Sequence, residues 1–406
     1  MRIGMLTQFF DPEPGPAALP GVLARELVAR GHSVRVLTGF PNYPVGTIAD
    51  GYRVRMRQDE SMDGVHVRRV PLYPNHGTSG PKRLANYASF GLSSTAFGLG
   101  YLRGADAIWV NCSPITLAWP MWALRALGAP IVSHVLDLWP DSFYATGFGS
   151  RIEGGALGAA LEAWTSSMYR VSEQVAYISP SVGGLLAERG VARDKLHYVP
   201  MWADEAAFRP TLGDREGFDI PSESVVLTYA GALGDAQGLE TLIDACRMVD
   251  DPRFLCIVAG SGTAEDDLRQ RAEGVTNVRF LGRVPQADMA SLLGSSDAGY
   301  ISLRSHRLSS YSLPSKTQAL LAAGVPLLVA ADGDVVQVAR ESEAGLVADQ
   351  NDPASIASAI RSLVQMDAAG RAAMGVAGRR YYERTFSARS GAERVEHLLT
   401  EAMGRR

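Results

Sequence analysis

The chain is short of lysine, of cysteine and of long apolar runs, and each shortage excludes something. Of its 39 basic residues only Lys82, Lys195 and Lys316 are lysines; with abundant Ala and Gly, that bias points to a GC-rich bacterial genome rather than to a mechanism. Cys112, Cys246 and Cys256 are odd in number and lie in or near apolar runs. This argues against a disulfide framework and for buried thiols in a reducing cytoplasm. No run reaches ~18 apolar residues, so no spanning helix is expected. The opening MRIGMLTQFF reads as a strand with neither a basic n-region nor a cleavage site, so no signal peptide is expected. An excess of one charge is missing too: 39 Lys+Arg stand against 43 Asp+Glu, a net charge of −4, which argues against nucleic acid as a partner. No Cys/His or carboxylate cluster has metal-ligand spacing, so no metal or cofactor is expected. One further absence is local. Between Arg304 and Asp332 there is no Asp or Glu at all.

What remains is an ordinary globular composition, 46% apolar over 406 residues, too long for one ordinary core and therefore read as two domains. Apolar runs of strand length alternate with helical patterns, the signature of parallel βαβ units. In the first half, Ile3–Leu6, Val34–Leu37, Val65–Val70, Ala107–Val110, Ile131–Val135, Val175–Ile178 and Leu196–Val199 read as strands. Helices are expected over Ala17–Arg30 and Thr116–Leu127. Residues 200–223 lose periodicity and gain Pro, Gly and charge, so the linker is placed there. The pattern then restarts with Val225–Tyr229, Phe254–Val258, Val278–Leu281, Ala298–Ile301 and Leu327–Val329. The fold class is α/β: two doubly wound, Rossmann-like parallel sheets facing a cleft, with domains at 1–203 and 204–387. A C-terminal helix over 388–406 carries Val395, Leu398, Leu399 and Met403 at helical spacing and is expected to pack back on the first domain.

Ligands in such sheets bind beyond the carboxyl ends of the strands. Loops that follow predicted strands there carry glycine: Phe9–Gly15 in the first half, and Ala230–Gly238, Ala259–Gly262 and Gly282–Pro285 in the second. Glycine lets the backbone approach a ligand, and the helix that follows presents free N–H groups to an anion. The stretch Ser312-Leu313-Pro314-Ser315-Lys316 opens another helix with a lysine in its first turn, again suited to phosphate. None of these loops is G-x-G-x-x-G or a Walker A motif.

With those loops in order, the chain resembles the family 4 glycosyltransferases, retaining enzymes of the two-domain GT-B fold. The resemblance covers nearly the whole chain, and FPNYP (40–44), DLWP (137–140) and PSK-x-Q (314–318) are its more specific pieces. They resemble the branch of O-antigen and capsule amino-sugar and deoxy-sugar transferases. The resemblance implies that the loop around Gly15 approaches a donor diphosphate. It implies that Gly231 and Gly234 seat the pyrophosphate with Gln237 beside them, and that Gly260 and Gly262 line the donor site. Arg283 and Val284 would lie at the nucleobase, while Ser312, Leu313, Pro314 and Ser315 offer N–H groups and Lys316 a charge. Departures accompany the match. Where the family loop has Arg and Lys, this chain has Ala232 and Gln237, and the two glutamates of the family's E-x7-E pattern fall near Tyr311 and Ala319. Lys316, Arg283, Arg304 and Arg307 are the available substitutes.

Family chemistry implies front-face transfer with the donor phosphate as base, so the protein mainly positions its substrates and stabilises the departing diphosphate. His134, at the end of a predicted strand, is read as a catalytic-site contact to the sugar or phosphate, with a satisfied core histidine as the alternative. Asp137 is either an acceptor-side base or a loop-closing cap. Pro41, Asn42, Tyr43 and Trp139 are acceptor-side candidates. The expected partners are a nucleotide-sugar donor, UDP first with GDP or TDP open, and an acceptor that is a lipid-linked saccharide or a small natural-product scaffold. The apolar stretch from Lys82 to Arg103, with its basic ends, is either an interior helix or a peripheral contact with the inner face of the membrane. Two other functions stay open: an epimerase or hydrolase of the same fold, and a non-catalytic sugar-nucleotide-binding partner.

Overall fold

The computed structural model describes residues 1–77, 79–145, 149–306 and 308–404. It divides into two compact units, Met1–Met201 with the helix Ala388–Gly404, and Trp202–Ser387.

The first unit is built on an eight-stranded sheet. Its strands are β1 (Arg2–Leu6), β2 (Ser33–Gly39), β3 (Gln58–Met62), β4 (Val65–Val70), β5 (Ala107–Cys112), β6 (Ile131–Val135), β7 (Gln174–Tyr177) and β8 (Leu196–Tyr198). They lie in the order β3-β4-β2-β1-β5-β6-β7-β8. All pairs are parallel except β3 against β4. Every residue of β5 and β6 is buried, as expected of central strands covered on both faces. β3 has no apolar run to announce it. It is an edge strand held by charge across the ladder, Asp59 on Arg68 at 2.6 Å and Glu60 on Arg69 at 2.5 Å. Beyond β4 the chain forms the helix Gly80–Ser93, a π-helical turn over Ser94–Gly98 and the short helix Leu99–Leu102. The helix Ala388–Gly404 returns to this unit, where Val395, Leu398, Leu399 and Ala402 are buried. Arg30 holds Glu396 at 2.6 Å, and Gln174 donates to Glu401 at 3.0 Å.

The second unit carries β9 (Val225–Ala230), β10 (Phe254–Ala259), β11 (Val278–Gly282), β12 (Ala298–Ser302), β13 (Leu327–Ala330) and β14 (Gly345–Ala348). All its pairs are parallel, in the order β11-β10-β9-β12-β13-β14. The strand direction of travel reverses between β9 and β12, and in the first unit between β1 and β5. Such reversals leave a crevice at the carboxyl ends of the two strands that flank them. The irregular stretch read as a linker is packed into this unit from Trp202 onward. Ile220 joins a core cluster with Val226, Leu255, Ile257 and Leu292. Arg215 donates to the carbonyls of Ser222 (3.1 Å) and Ser224 (2.9 Å) and pairs with Asp297 at 2.9 Å. Pro and Gly break periodicity there without loosening the chain. Cys112, Cys246 and Cys256 are buried and unbridged, and among the described residues no helix is long and apolar enough to cross a membrane.

Candidate functional site

In the second unit the loops after β9, β10 and β11 interlock. The Gly231 N–H donates to Ala259 O (2.9 Å), Leu233 N–H to Ser261 O (3.0 Å) and Gly260 N–H to Gly282 O (2.7 Å). This changes the reading of two glycines. A Cβ on Gly260 would lie 1.8 Å from Gly231 O, and one on Gly262 would lie 2.2 Å from Leu233 O. Their bareness serves the fit of loop on loop. Gln237 is likewise turned inward: its Oε1 accepts from the Gly234 N–H at 3.1 Å, so the side chain closes its own loop. Gly231 is different. Its φ of +149° is rarely adopted by side-chain-bearing residues, and a Cβ there would meet Lys316 Cε at 2.6 Å.

Lys316 belongs to the first turn of the helix Ser315–Ala323, whose N-cap, Pro314, supplies no side-chain bond to the first N–H groups. Its Nζ stands 3.6 Å from the centroid of the Tyr229 ring. Among the described residues it has no carboxylate partner, and burial alone pushes its pKa down to about 7. A half-buried ammonium at an uncapped helix start, with no acid near it, is a site suited to an anion. Ser312, Leu313 and Pro314 are half-buried on the approach to this helix and Ser315 is exposed at its start, with Ser312 Oγ turned back onto Leu308 O at 2.7 Å. Arg304 is engaged elsewhere: it donates to Asp235 O at 2.6 Å and pairs with Glu240 at 2.7 Å. Arg283 is exposed and Val284 packs partly on the core. Arg307 lies outside the described residues.

In the first unit the loops after β1, β2, β4, β5 and β6 come to one sheet edge. Ser113 and Asp137 meet there, the Ser113 hydroxyl donating to an Asp137 oxygen on an open surface. Trp139 Nε1 donates to Ser113 O at 2.6 Å and its ring stacks on Phe143. Gly15 holds φ +64° with nothing within 4 Å of where a Cβ would be, so its face is open.

Three expectations need correction here. His134 is 1% exposed, packs on Trp109 and bonds Val199 O through Nε2 at 2.9 Å. Burial holds it neutral, with its pKa pushed down to about 4. It is a core residue, because the strand end that carries it is covered rather than open. Asn42 is 1% exposed, and its amide bonds Phe40 O (3.1 Å) and Asn86 (3.2 Å). Pro41 is buried as well. Of the FPNYP loop, Pro44 is exposed and Tyr43 stays half-buried beside Phe9 and His76.

Phe9 and Glu13 were read only as members of the loop after β1, and His76 went unremarked in the sequence. Glu13 is 3% exposed and accepts three backbone N–H bonds, from Asn42 (2.7 Å), Tyr43 (2.9 Å) and Phe10 (3.0 Å). Its pKa is nevertheless raised, because loss of water outweighs those bonds and the nearby Arg69. A carboxylate between two prolines in a strand-to-helix loop was the available signal. Among the described residues no group of three or more His, Cys, Asp or Glu is arranged to hold a metal.

The sequence matches the Glycosyl transferase 4-like domain over residues 15–202 and the Glycosyl transferases group 1 family over residues 213–381. It is 28% identical over 334 residues to WcaI of Escherichia coli (strain K12), named as a colanic acid biosynthesis glycosyl transferase, covering 80% of this chain and 81% of that one. The fold is shared with the sucrose-phosphate synthase of Thermosynechococcus elongatus, with a TM-score of 0.73, 17% identity and all of both chains covered. It is shared also with Anabaena HepE, solved in complex with UDP, with a TM-score of 0.68 and 14% identity over 99% of this chain and 100% of that one.

Proposed function

The chain belongs to the family 4 type glycosyltransferases of the GT-B fold, and from that premise we propose that it moves a sugar, with retention, from a nucleotide diphosphate sugar to an acceptor hydroxyl. The observation that carries this reading is Lys316, an ammonium without an acid partner at an uncapped helix start, against Gly231 and the Tyr229 ring. A diphosphate completes that arrangement. Gly231 and Gly234 bring backbone close to it, and Lys316 supplies the charge-assisted bond that stabilises the leaving diphosphate. Lys316 thereby takes the place of the Arg and Lys that positions 232 and 237 lack. No metal or other cofactor takes part in this proposal. The donor phosphate removes the acceptor proton on the front face, and Asp137, oriented by Ser113, holds the acceptor hydroxyl.

UDP is the first choice of nucleotide, a choice supported by the UDP held in HepE; GDP and TDP are the competitors. The acceptor is a lipid-linked saccharide of envelope polysaccharide assembly, supported by the WcaI name, or a natural-product scaffold. Peripheral contact with the inner face of the membrane is supported by Leu84, Leu92 and Phe97, exposed on the stretch between Lys82 and Arg103, and by the lack of any Asp or Glu between Asp63 and Asp106.

Thermal unfolding in the presence of UDP, GDP, TDP and their sugars tests the donor half. A nucleotide at ~100 Kd stabilises by ~2.7 kcal/mol. A response to one of them identifies the donor; silence from all of them removes the reading.

A further inference from the structure

We propose that Glu13 is a positioning residue for the acceptor: it holds the loop after β2 against the loop after β1, so that Phe9, Tyr43 and His76 stand as a preformed aromatic wall for a sugar ring. The inference rests on the transferase reading and adds to it the residues that shape the acceptor side.

Each ring comes from a different strand end, Phe9 after β1, Tyr43 after β2 and His76 after β4. The centroids lie 5.8 Å apart for Phe9 and Tyr43, 5.3 Å for Phe9 and His76, and 5.0 Å for Tyr43 and His76. All three residues are half-buried, so the cluster keeps an open side. An open cluster of rings at the carboxyl edge of the sheet offers π faces to the C–H face of a hexose.

Three rings on three loops hold their places only if the loops are fixed, and Glu13 fixes two of them. Its oxygens take the N–H groups of Asn42 and Tyr43 on one loop and of Phe10 on the other. A carboxylate accepts at both oxygens, which three converging donors require; an amide would turn an NH2 group toward at least one N–H. Beneath this clamp, Asn42 is tied to Asn86 (3.2 Å), and Asn86 to Gln8 (2.6 Å) and Tyr73 O (2.7 Å). Arg69 adds a bond to Gly39 O at 3.1 Å at the start of the same loop. Rigidity set before binding lowers the ordering cost of binding, and it is read in the acceptor KM.

The test compares wild type with Glu13→Gln. UDP binding is measured by calorimetry. Transfer is measured from a UDP-hexose to polyprenyl-diphosphate-linked N-acetylhexosamine and to methyl hexosides. The expected result is an acceptor KM raised about tenfold, with kcat and the UDP Kd each within about twofold of wild type. His76→Ala and Tyr43→Leu, which leave the clamp intact, are expected to raise the same KM, and they decide the matter if Glu13→Gln does not fold. An unchanged acceptor KM, or a fall in UDP affinity and kcat alongside it, reduces Glu13 to a support of the fold and overturns the inference. Should wild type bind UDP yet transfer to none of these glycosides, the wall holds no sugar, while the donor half of the transferase reading stands. Wild type that binds no nucleotide removes the transferase reading itself.

Discussion

The two sheet reversals are built from different materials. Beside β9/β12 the loops after β9, β10 and β11 bond to one another main chain to main chain, glycines let them interlock, and one lysine brings charge. At β1/β5 the loops are joined through side chains: Glu13 onto three N–H groups, Asn86 onto Asn42, Ser113 onto Asp137. Backbone N–H groups and a charge suit a phosphate, whatever sugar it carries. Side-chain networks and rings discriminate by shape, and single substitutions re-cut them. On the proposed reading, the contrast puts acceptor selectivity in residues that can be exchanged one at a time, whereas the second unit's loops tolerate little change.

The largest expected effect attacks the main-chain side. Gly260→Ala places a Cβ 1.8 Å from Gly231 O, forcing the loops apart. Urea unfolding should show a loss of ~2–4 kcal/mol, and nucleotide binding should go with it. If the variant keeps both, the loops are looser than described and the contrast weakens.

Lys316→Ala comes next. Loss of one charge-assisted contact predicts nucleotide affinity lower by ~1–3 kcal/mol, or ~5- to 150-fold, in calorimetry at pH 7. The group's depressed pKa sharpens the test. Free Lys316 is half-charged near pH 7, so affinity for UDP in wild type should fall as pH rises from 7 to 9, with a proton taken up on binding. The alanine variant should lack that slope. The same depression makes the unfolded chain bind more protons between about 7 and 10.5, so stability should rise with pH across that window in wild type alone.

Asp137→Asn probes the side-chain end. About tenfold slower transfer with nucleotide affinity unchanged is the expectation; weakened nucleotide binding instead would assign Asp137 to the donor.

The smallest effect on catalysis belongs to His134→Asn, expected to leave kcat within about twofold. Its mark is on stability. His134 is neutral in the fold, with its pKa at about 4 against 6.5 unfolded. Stability present above pH 6.5 is therefore lost as pH falls toward 4, on the order of 3 kcal/mol for complete titration. That acid slope should be shallower in the variant.

The parallel sheets were legible because central strands are covered on both faces and must be written in apolar runs, as at Ile131–Val135 and Leu327–Ala330. β3 was not, because Asp59 and Glu60 hold it by ion pairs that carry no strand signature. The helix start at Lys316 was legible as a lysine opening a helix in an acid-free stretch of sequence. Position along the chain could not reveal which way a side chain turns, so His134 and Asn42 looked open when each is closed by a bond. Glu13 escaped for the converse reason: its three partners are main-chain N–H groups on two loops, and main-chain partners leave no trace in residue identity.

The helix Ala388–Gly404 lies after the whole of the second unit in sequence, yet its buried stripe completes the first. On the ribosome, residues 1–201 therefore wait with an uncovered apolar seam while some 190 further residues are made. The first unit becomes native only after the second has had its chance to fold. Synthesis order and assembly order are thus opposed, and a nascent chain halted within the second unit presents a chaperone with that seam rather than with a finished domain.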